Sequence, residues 1–108
     1  MGLSLGFFHL DASDNAKYYN IGKYYQMAWE LCGVDYRQEY QHIKPLLEFR
    51  GIHSDLEKEY CFLKDENFGF NWCTYKEFSA LYPDFNLKEF NVPDDLSPET
   101  ILQFYCDC

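Results

Sequence analysis

Cysteine and histidine side chains could carry recognisable chemistry in this chain, because both are common zinc ligands. The chain has five cysteines and three histidines, namely Cys32, Cys61, Cys73, Cys106, Cys108, His9, His42 and His53. Structural zinc sites usually take their ligands from two compact cysteine pairs, and only Cys106 and Cys108 lie so close together. The sequence therefore predicts no metal site and no cofactor, although metal binding by Cys106 and Cys108 stays open.

Motifs of known enzyme classes give no support to a catalytic role. The sequence contains no P-loop, no H-E-x-x-H pair and no G-x-G-x-x-G fingerprint. A Cys/His nucleophile pair needs two side chains that meet in space, which sequence spacing does not show. We therefore expect a protein that is not an enzyme, and a small enzyme of unrecognised type is an alternative.

Carboxylates dominate the charge of the chain, with 18 acidic against 9 basic residues and a formal net charge of −9. Residues 1–54 carry five basic and six acidic side chains, whereas residues 55–108 carry four and twelve. Such a field repels phosphate backbones and anionic lipids and attracts basic protein surfaces. The charge predicts a protein partner with a basic surface, and neither direct nucleic-acid binding nor membrane binding.

The acidic residues of the second half form two blocks. The first block consists of Asp55, Glu57, Glu59, Asp65 and Glu66, and the second of Asp84, Glu89, Asp94, Asp95 and Glu99. A surface that only keeps the protein in solution is one interpretation. The other is an electrostatic plug for a basic groove, which predicts partner contacts at Glu57, Glu59, Asp65, Glu66, Asp94 and Asp95.

Aromatic residues are concentrated in residues 16–32, AKYYNIGKYYQMAWELC. At helical spacing, one apolar stripe predicts core packing and consists of Tyr18, Ile21, Tyr25, Ala28 and Cys32. Tyr19 and Trp29 fall outside this stripe or at its margin. Because exposed tyrosine and tryptophan are enriched at binding hot spots, we predict that Tyr19 and Trp29 contact the partner.

Elements that could position these residues follow from the apolar periodicity. Alternation over residues 3–7 predicts a strand, and residues 11–15 supply turn residues. Apolar spacing then predicts a helix over residues 18–32, which ends at Gly33. Asp35 predicts the start of a second helix, with a break at Pro45.

The second half contains two helix-capping patterns. Thr74 and Glu77 form a capping box, which predicts a helix that ends before Pro83. Ser97 followed by Pro98 predicts a last helix over residues 98–105, after an extended connection at 84–95. Residues 55–73 fit either a helix or a hairpin of strands 59–63 and 68–73, and both alternatives stay open.

These elements together predict an α+β fold, in the form of a small helix-rich domain. A short N-terminal strand and a possible central hairpin accompany the helices, and residues 1–108 are expected to form a single compact domain. No apolar run reaches the ~20 residues of a membrane span, and the first residues lack the features of a signal peptide. We expect a cytoplasmic protein with reduced thiols.

By composition, the chain resembles the small acidic inhibitors found among phage anti-defence proteins, anti-CRISPRs included, and among bacterial toxin-immunity proteins. The resemblance implies a protein-binding inhibitor that occludes a basic, nucleic-acid-binding surface of a partner enzyme such as a nuclease. The alternatives are a small regulatory or metal-binding domain and the unrecognised enzyme named above.

Overall fold

An antiparallel sheet organises the computed structural model, which describes residues 2–59 and 67–107. Within these ranges its four strands are β1 (Ser4–Leu10), β2 (Ala16–Gly22), β3 (Asn67–Thr74) and β4 (Ile101–Asp107). Their order across the sheet is β2-β1-β4-β3. The central strands therefore come from the two ends of the sequence, and β2 and β3 form the edges.

The helical elements are short. In the described residues they include α1 (Tyr25–Cys32), α2 (Tyr75–Leu81) and two 3-10 helices, Ser54–Leu56 and Leu87–Phe90. The fold is dominated by its sheet, so the prediction of a helix-rich domain is wrong. None of the helices in the described ranges is long and apolar enough to cross a membrane.

The predicted helix over residues 18–32 is correct only in its second half. Residues 16–22 form β2, and Gly22, with φ of 109°, separates the strand from α1. Such a φ is incompatible with a right-handed helix and is readily adopted by glycine. As predicted, Gly33 ends α1 in the left-handed conformation, at φ 69°.

The loop from β1 to β2 is a tight turn that ends with one residue in the left-handed conformation. The Asp14 N–H donates to the Asp11 carbonyl at 3.0 Å, and the Asp11 N–H donates to the Asn15 carbonyl at 2.9 Å. Asp14 has φ of 61°, a conformation that aspartate tolerates better than most residues. The Asp11 carboxylate accepts the N–H groups of Ser13 and Asn15, which also lowers its pKa.

Residues 101–107 form the central strand β4, so the predicted last helix over residues 98–105 is wrong. Leu102, Phe104 and Cys106 alternate onto one face and are completely buried. Ser97, predicted to cap that helix, instead begins a turn in which its carbonyl accepts the Thr100 N–H at 3.1 Å. Pairing with β1 and β3 on both sides outweighs the local helix signal.

Two other predicted segments had different outcomes. The capping box of Thr74 and Glu77 is present and begins α2, as predicted. No helix occurs over residues 33–53, because the Asp35 carboxylate accepts the N–H groups of Glu39 and Tyr40 within an irregular loop. Of the two alternatives for residues 55–73, the helix is present over its described beginning, residues 54–59, and the second strand of the hairpin corresponds to β3, which pairs with β4; residues 60–66 lie outside the described residues.

The two faces of the sheet are covered by different parts of the chain. On one, which we call the core face, Phe7 lies opposite Phe104, and α1 and α2 pack over them through Ala28 and Phe78, among others. On the other, the second face, Phe8 lies opposite Tyr18 and Gln103.

Two buried amide side chains hold residues 48–53 against the sheet. On the core face, the Asn71 side-chain oxygen accepts the Arg50 N–H at 2.7 Å. On the second face, the Gln103 side-chain oxygen accepts the His53 N–H at 2.9 Å. Because consecutive parts of one segment bind opposite faces, residues 48–53 pass around the β3 edge and cover it.

Candidate functional site

The described residues of the first acidic block, Asp55, Glu57 and Glu59, lie on the second face of the sheet. Residues 54–59 continue from the segment that passes around β3, where the His53 ring packs edge-on against Trp72 at 4.6 Å. At the far end of this segment, the Glu59 carboxylate accepts a short hydrogen bond from the Tyr18 hydroxyl on β2. The segment therefore crosses the sheet from one edge to the other, with Leu56 buried beneath it.

The second acidic block lies on the core face. Residues 84–96 pack there through the buried side chains of Leu87 and Val92. Asp94 forms an ion pair with Lys88 at 2.9 Å, and Asp95 is exposed. The structure thus places Glu57 and Glu59 on the face opposite to Asp94 and Asp95, so these four predicted contact residues cannot line one flat contact surface.

We call Tyr18, Asp55, Glu57 and Glu59 the acidic surface. The side chain of Asp55 is 75% exposed, and Glu57 is exposed as well. Nδ1 of the neighbouring His53 accepts the Asp55 N–H at 3.1 Å. The same nitrogen lies 3.7 Å from the Asp55 carboxylate. The other predicted residues of this block, Asp65 and Glu66, lie outside the described residues.

Tyr18 is the aromatic residue of the acidic surface, and the sequence prediction of Tyr18 as a core residue is wrong. Its side chain is 45% exposed, while one side of the ring packs on Phe8 at 5.1 Å. Burial and the hydrogen bond to Glu59 raise the pKa of Tyr18. The hydroxyl therefore stays protonated at neutral pH and holds the Glu59 carboxylate beside the ring.

Tyr19 and Trp29, predicted to contact a partner, are half-buried and lie away from the acidic surface. The Tyr19 ring stacks on Phe7 at 5.2 Å and on His9 at 5.5 Å, on the core face. The Trp29 indole N–H donates to the Ile43 carbonyl at 2.8 Å. Tyr19 and Trp29 therefore both contribute to packing. Sequence analysis did not predict Tyr18 as a site residue, because it applied helical spacing to residues that form a strand. The alternation of a strand places adjacent tyrosines on opposite faces.

A cleft of about 700 Å³ opens between the end of α1, residues 44–50 and α2. Its wall is largely apolar, and Phe49 beside it is 81% exposed. The Arg50 guanidinium binds both Glu77 carboxylate oxygens, at 2.8 and 2.7 Å, and lowers the pKa of Glu77 to about 2. Because these two charges neutralise each other, the cleft contributes little to the field of the protein.

The described cysteines are poor candidates for reactive groups. Cys32, Cys73 and Cys106 are buried and form no disulfide. A hydrogen bond to Cys106 and burial raise the pKa of Cys32, and burial raises that of Cys73 to about 12. These two thiols therefore stay protonated at neutral pH, which makes them poor nucleophiles and metal ligands.

Residues that could hold a metal do not come together in residues 2–59 and 67–107. These ranges contain no group of three or more His, Cys, Asp or Glu side chains arranged for a metal ion. Cys61 and Cys108 lie outside the described residues. Metal binding by the pair Cys106 and Cys108 therefore remains open.

Residues 2–6, Gly-Leu-Ser-Leu-Gly, match the letters of the G-x-S-x-G nucleophile elbow, a match that our sequence analysis missed. In that motif the serine lies on a sharp turn between a strand and a helix. Here Ser4 is the first residue of β1, and its hydroxyl donates to the Asn20 side chain at 2.8 Å. The backbone context of an elbow is missing at Ser4, so the match does not indicate a nucleophile.

Comparison with known proteins does not assign the chain to a family. No protein-family model matches it, and neither a curated protein nor a solved structure is significantly similar to it.

Proposed function

We propose that the protein is a small cytoplasmic inhibitor that binds a basic surface of a partner enzyme and excludes nucleic acid from it. The observation that carries this proposal is the acidic surface, where Glu59 lies against the exposed ring of Tyr18 and the side chains of Asp55 and Glu57 are exposed along the same segment. Only one basic residue, Lys58, occurs in residues 54–59. The whole chain is also negatively charged, with a net charge of −9.

The proposed mechanism has an electrostatic step and a contact step. At physiological salt, charges act over about 8 Å, so the acidic surface attracts lysine and arginine side chains during the approach. Once the surfaces meet, the ring of Tyr18 supplies the apolar contact that charged groups alone do not provide. Tyrosine is among the residues most enriched at such hot spots.

The compositional resemblance to acidic anti-defence and immunity proteins supports the same mechanism. Inhibitors of this kind would occupy the place of the phosphate backbone on a nuclease or another nucleic-acid-processing enzyme. Carboxylates suit this role because they form the same charge-assisted hydrogen bonds with arginine as phosphates do. The proposal needs no metal, cofactor or catalytic residue.

Capture followed by competition tests the proposed function. The immobilised protein is exposed to a bacterial lysate, washed over a series of salt concentrations, and each retained protein is then purified. We expect a basic nucleic-acid-binding protein that is released as salt rises and whose binding is competed by a short DNA or RNA duplex. A partner that binds this protein and nucleic acid simultaneously would overturn the proposal, as would capture that does not depend on salt.

A matched pair of variants makes this test specific to the acidic surface. Glu57→Lys and Asp95→Lys change the net charge equally, but Glu57 belongs to the acidic surface and Asp95 to the segment on the core face. Glu57→Lys should reduce capture strongly, and Asp95→Lys should reduce it only slightly. Equal capture by both variants would show that the acidic surface is not the contact site.

A further inference from the structure

Among the described residues, strand β2 is the open edge of the sheet. The other edge, β3, is covered at Asn71 and Trp72 by residues 48–53, where the His53 ring and the Arg50 guanidinium pack on Trp72. The five residues of β2 that precede Ile21 are all exposed or partly exposed. No hydrogen bond from the described parts of the chain reaches the outer backbone side of β2.

The turn geometry shows which backbone groups of β2 face outward. The Asp11 N–H donates to the Asn15 carbonyl, so these two residues form a hydrogen-bonded pair. In an antiparallel ladder, such pairs recur at every second residue along each strand. These are the pairs His9 with Lys17 and Phe7 with Tyr19. The N–H and C=O groups of Tyr18 and Asn20, which belong to the alternate pairs, therefore point away from β1.

We propose that β2 receives an extended, basic segment of the partner as an additional strand, next to the acidic surface. This inference rests on the proposed function and specifies how the partner is bound. In an added strand, the residue opposite Tyr18 lies on the second face, beside the Glu59 carboxylate. Lysine or arginine at this position pairs with Glu59, while the backbone pairs with Tyr18 and Asn20.

Charge selects a basic segment over a second copy of this chain as the occupant of the β2 edge. Each copy carries a net charge of −9. Two copies joined along β2 would also bring their two acidic surfaces close to each other, because Tyr18 lies on the shared edge. Like charges placed opposite each other in a sheet are destabilising. A strand with alternating basic residues has the opposite charge and the required period of two.

Asn20 provides a variant that removes one outward donor without removing a ladder hydrogen bond. Proline has no N–H, and it is tolerated in an edge strand where the N–H faces solvent. Asn20→Pro also loses the hydrogen bond from the Ser4 hydroxyl to the Asn20 side chain. Asn20→Ala loses the same side-chain hydrogen bond but keeps the backbone N–H, so it is the matched control.

The probe is a fluorescent peptide of about eight residues, the length of a common strand, with alternating lysine and threonine. Binding is measured by anisotropy at low salt, and the fold of each variant is checked by circular dichroism. We expect Asn20→Ala to bind as the unchanged protein does, and Asn20→Pro to bind about tenfold more weakly or worse. The same peptide with methylated backbone nitrogens should not bind, because it cannot form the ladder.

Three results would overturn the inference: no binding of the lysine–threonine peptide, equal binding of the methylated peptide, or equal binding by a folded Asn20→Pro variant. Should Asn20→Pro not fold, the methylated peptide decides the question on the unchanged protein. Failure of the proposed function gives a different pattern. If Asn20→Pro loses binding and Glu57→Lys binds fully, the β2 edge is supported and the acidic surface is contradicted. If Glu57→Lys loses binding and Asn20→Pro binds fully, the acidic surface is supported and the β2 edge is contradicted.

Discussion

At the scale of single residues, the charges of the described structure are of two kinds. Arg50 and Glu77 neutralise each other in a bidentate ion pair, and the same carboxylate accepts the Thr74 N–H at 3.0 Å. Asp55 and Glu57, in contrast, face solvent, and within residues 2–59 and 67–107 neither forms an ion pair with a lysine or an arginine. The first pair stabilises the fold, and the second pair is free to act on another molecule.

Replacement of Glu77 by glutamine should change how stability depends on pH. The folded pKa of Glu77 is about 2, below its ordinary value of 4.5, so its stabilisation is complete above about pH 4.5 and is lost as the pH falls towards 2. Since the side chain is 38% exposed, we expect a contribution of only about 1 kcal/mol after solvent screening. Glutamine can still complete the capping box.

The measurement is urea unfolding of both proteins at about pH 6 and about pH 3, on either side of this range. The decrease in unfolding free energy between the two pH values should be about 1 kcal/mol smaller in Glu77→Gln than in the unchanged protein. An identical decrease in both proteins would mean that another carboxylate controls the acid response.

Loss of the Asn71 amide should be strongly destabilising. Its NH₂ group donates to the carbonyls of Leu31 and Glu48, and its oxygen accepts the Arg50 N–H. Asn71→Ala leaves these three groups without their partner, which we expect to cost about 2–4 kcal/mol in denaturant unfolding. The exposed Asn20→Ala should cost less than about 1 kcal/mol. A small effect at Asn71 would show that water replaces the amide.

Sequence analysis could predict buried apolar residues better than the site residues. Ile21 and Ala28 were both placed on the buried stripe, and both are buried, although they lie on different elements. Asn71 and Gln103 gave no signal, because an amide in a strand is typical of a solvent-facing position. Their burial depends on residues 48–53, which are distant in sequence.

At the scale of elements, two helix-capping patterns had different outcomes. Thr74 begins α2, and its hydroxyl accepts the Glu77 N–H at 3.1 Å. Ser97 begins only a turn, and its hydroxyl contacts that of Thr100 at 3.3 Å. The second pattern is the weaker one, because Thr100 occupies the position at which a capping box has Glu or Gln. Residues 101–107 form a strand because two neighbouring strands pair with them, which is a tertiary effect.

These two residues give a matched prediction. Thr74→Ala should lower the unfolding free energy by about 1 kcal/mol, because a helix cap is lost. Ser97→Ala should lower it by less than about 0.5 kcal/mol, because no helix depends on it. Thermal or urea unfolding of the two variants checks both values. Equal losses would indicate that residues 97–105 do begin a helix in solution.

The partial success of the helix prediction over residues 18–32 has a physical cause. Tyrosine and isoleucine favour strands as readily as they fit an apolar helix stripe, so periodicity alone did not decide the element. The turn at Asp14 and the conformation of Gly22 define β2 on either side. The sequence analysis did not interpret either residue as a strand boundary. As a result, it predicted Tyr18 to be buried and Tyr19 to be exposed.

At the scale of the whole molecule, the sequence predicted the excess of negative charge but not its arrangement. The count of acidic residues is independent of the fold, whereas the face on which each block lies depends on where the chain passes around β3. Of the first block, Asp55, Glu57 and Glu59 lie on the second face, with Glu59 beside the edge strand β2, whereas the second block lies on the core face. The proposed function therefore concerns the first block only.

The central claim, that the acidic surface directs binding to a basic partner, is tested most directly by association rates. Surface-binding kinetics of Glu57→Lys and Asp95→Lys are measured against the purified partner at two salt concentrations. At low salt we expect association to slow about tenfold for Glu57→Lys and about twofold for Asp95→Lys, with the difference shrinking at high salt because the charges are screened. Association of Glu57→Lys at the rate of the unchanged protein, at low salt and with its fold intact, would contradict the account.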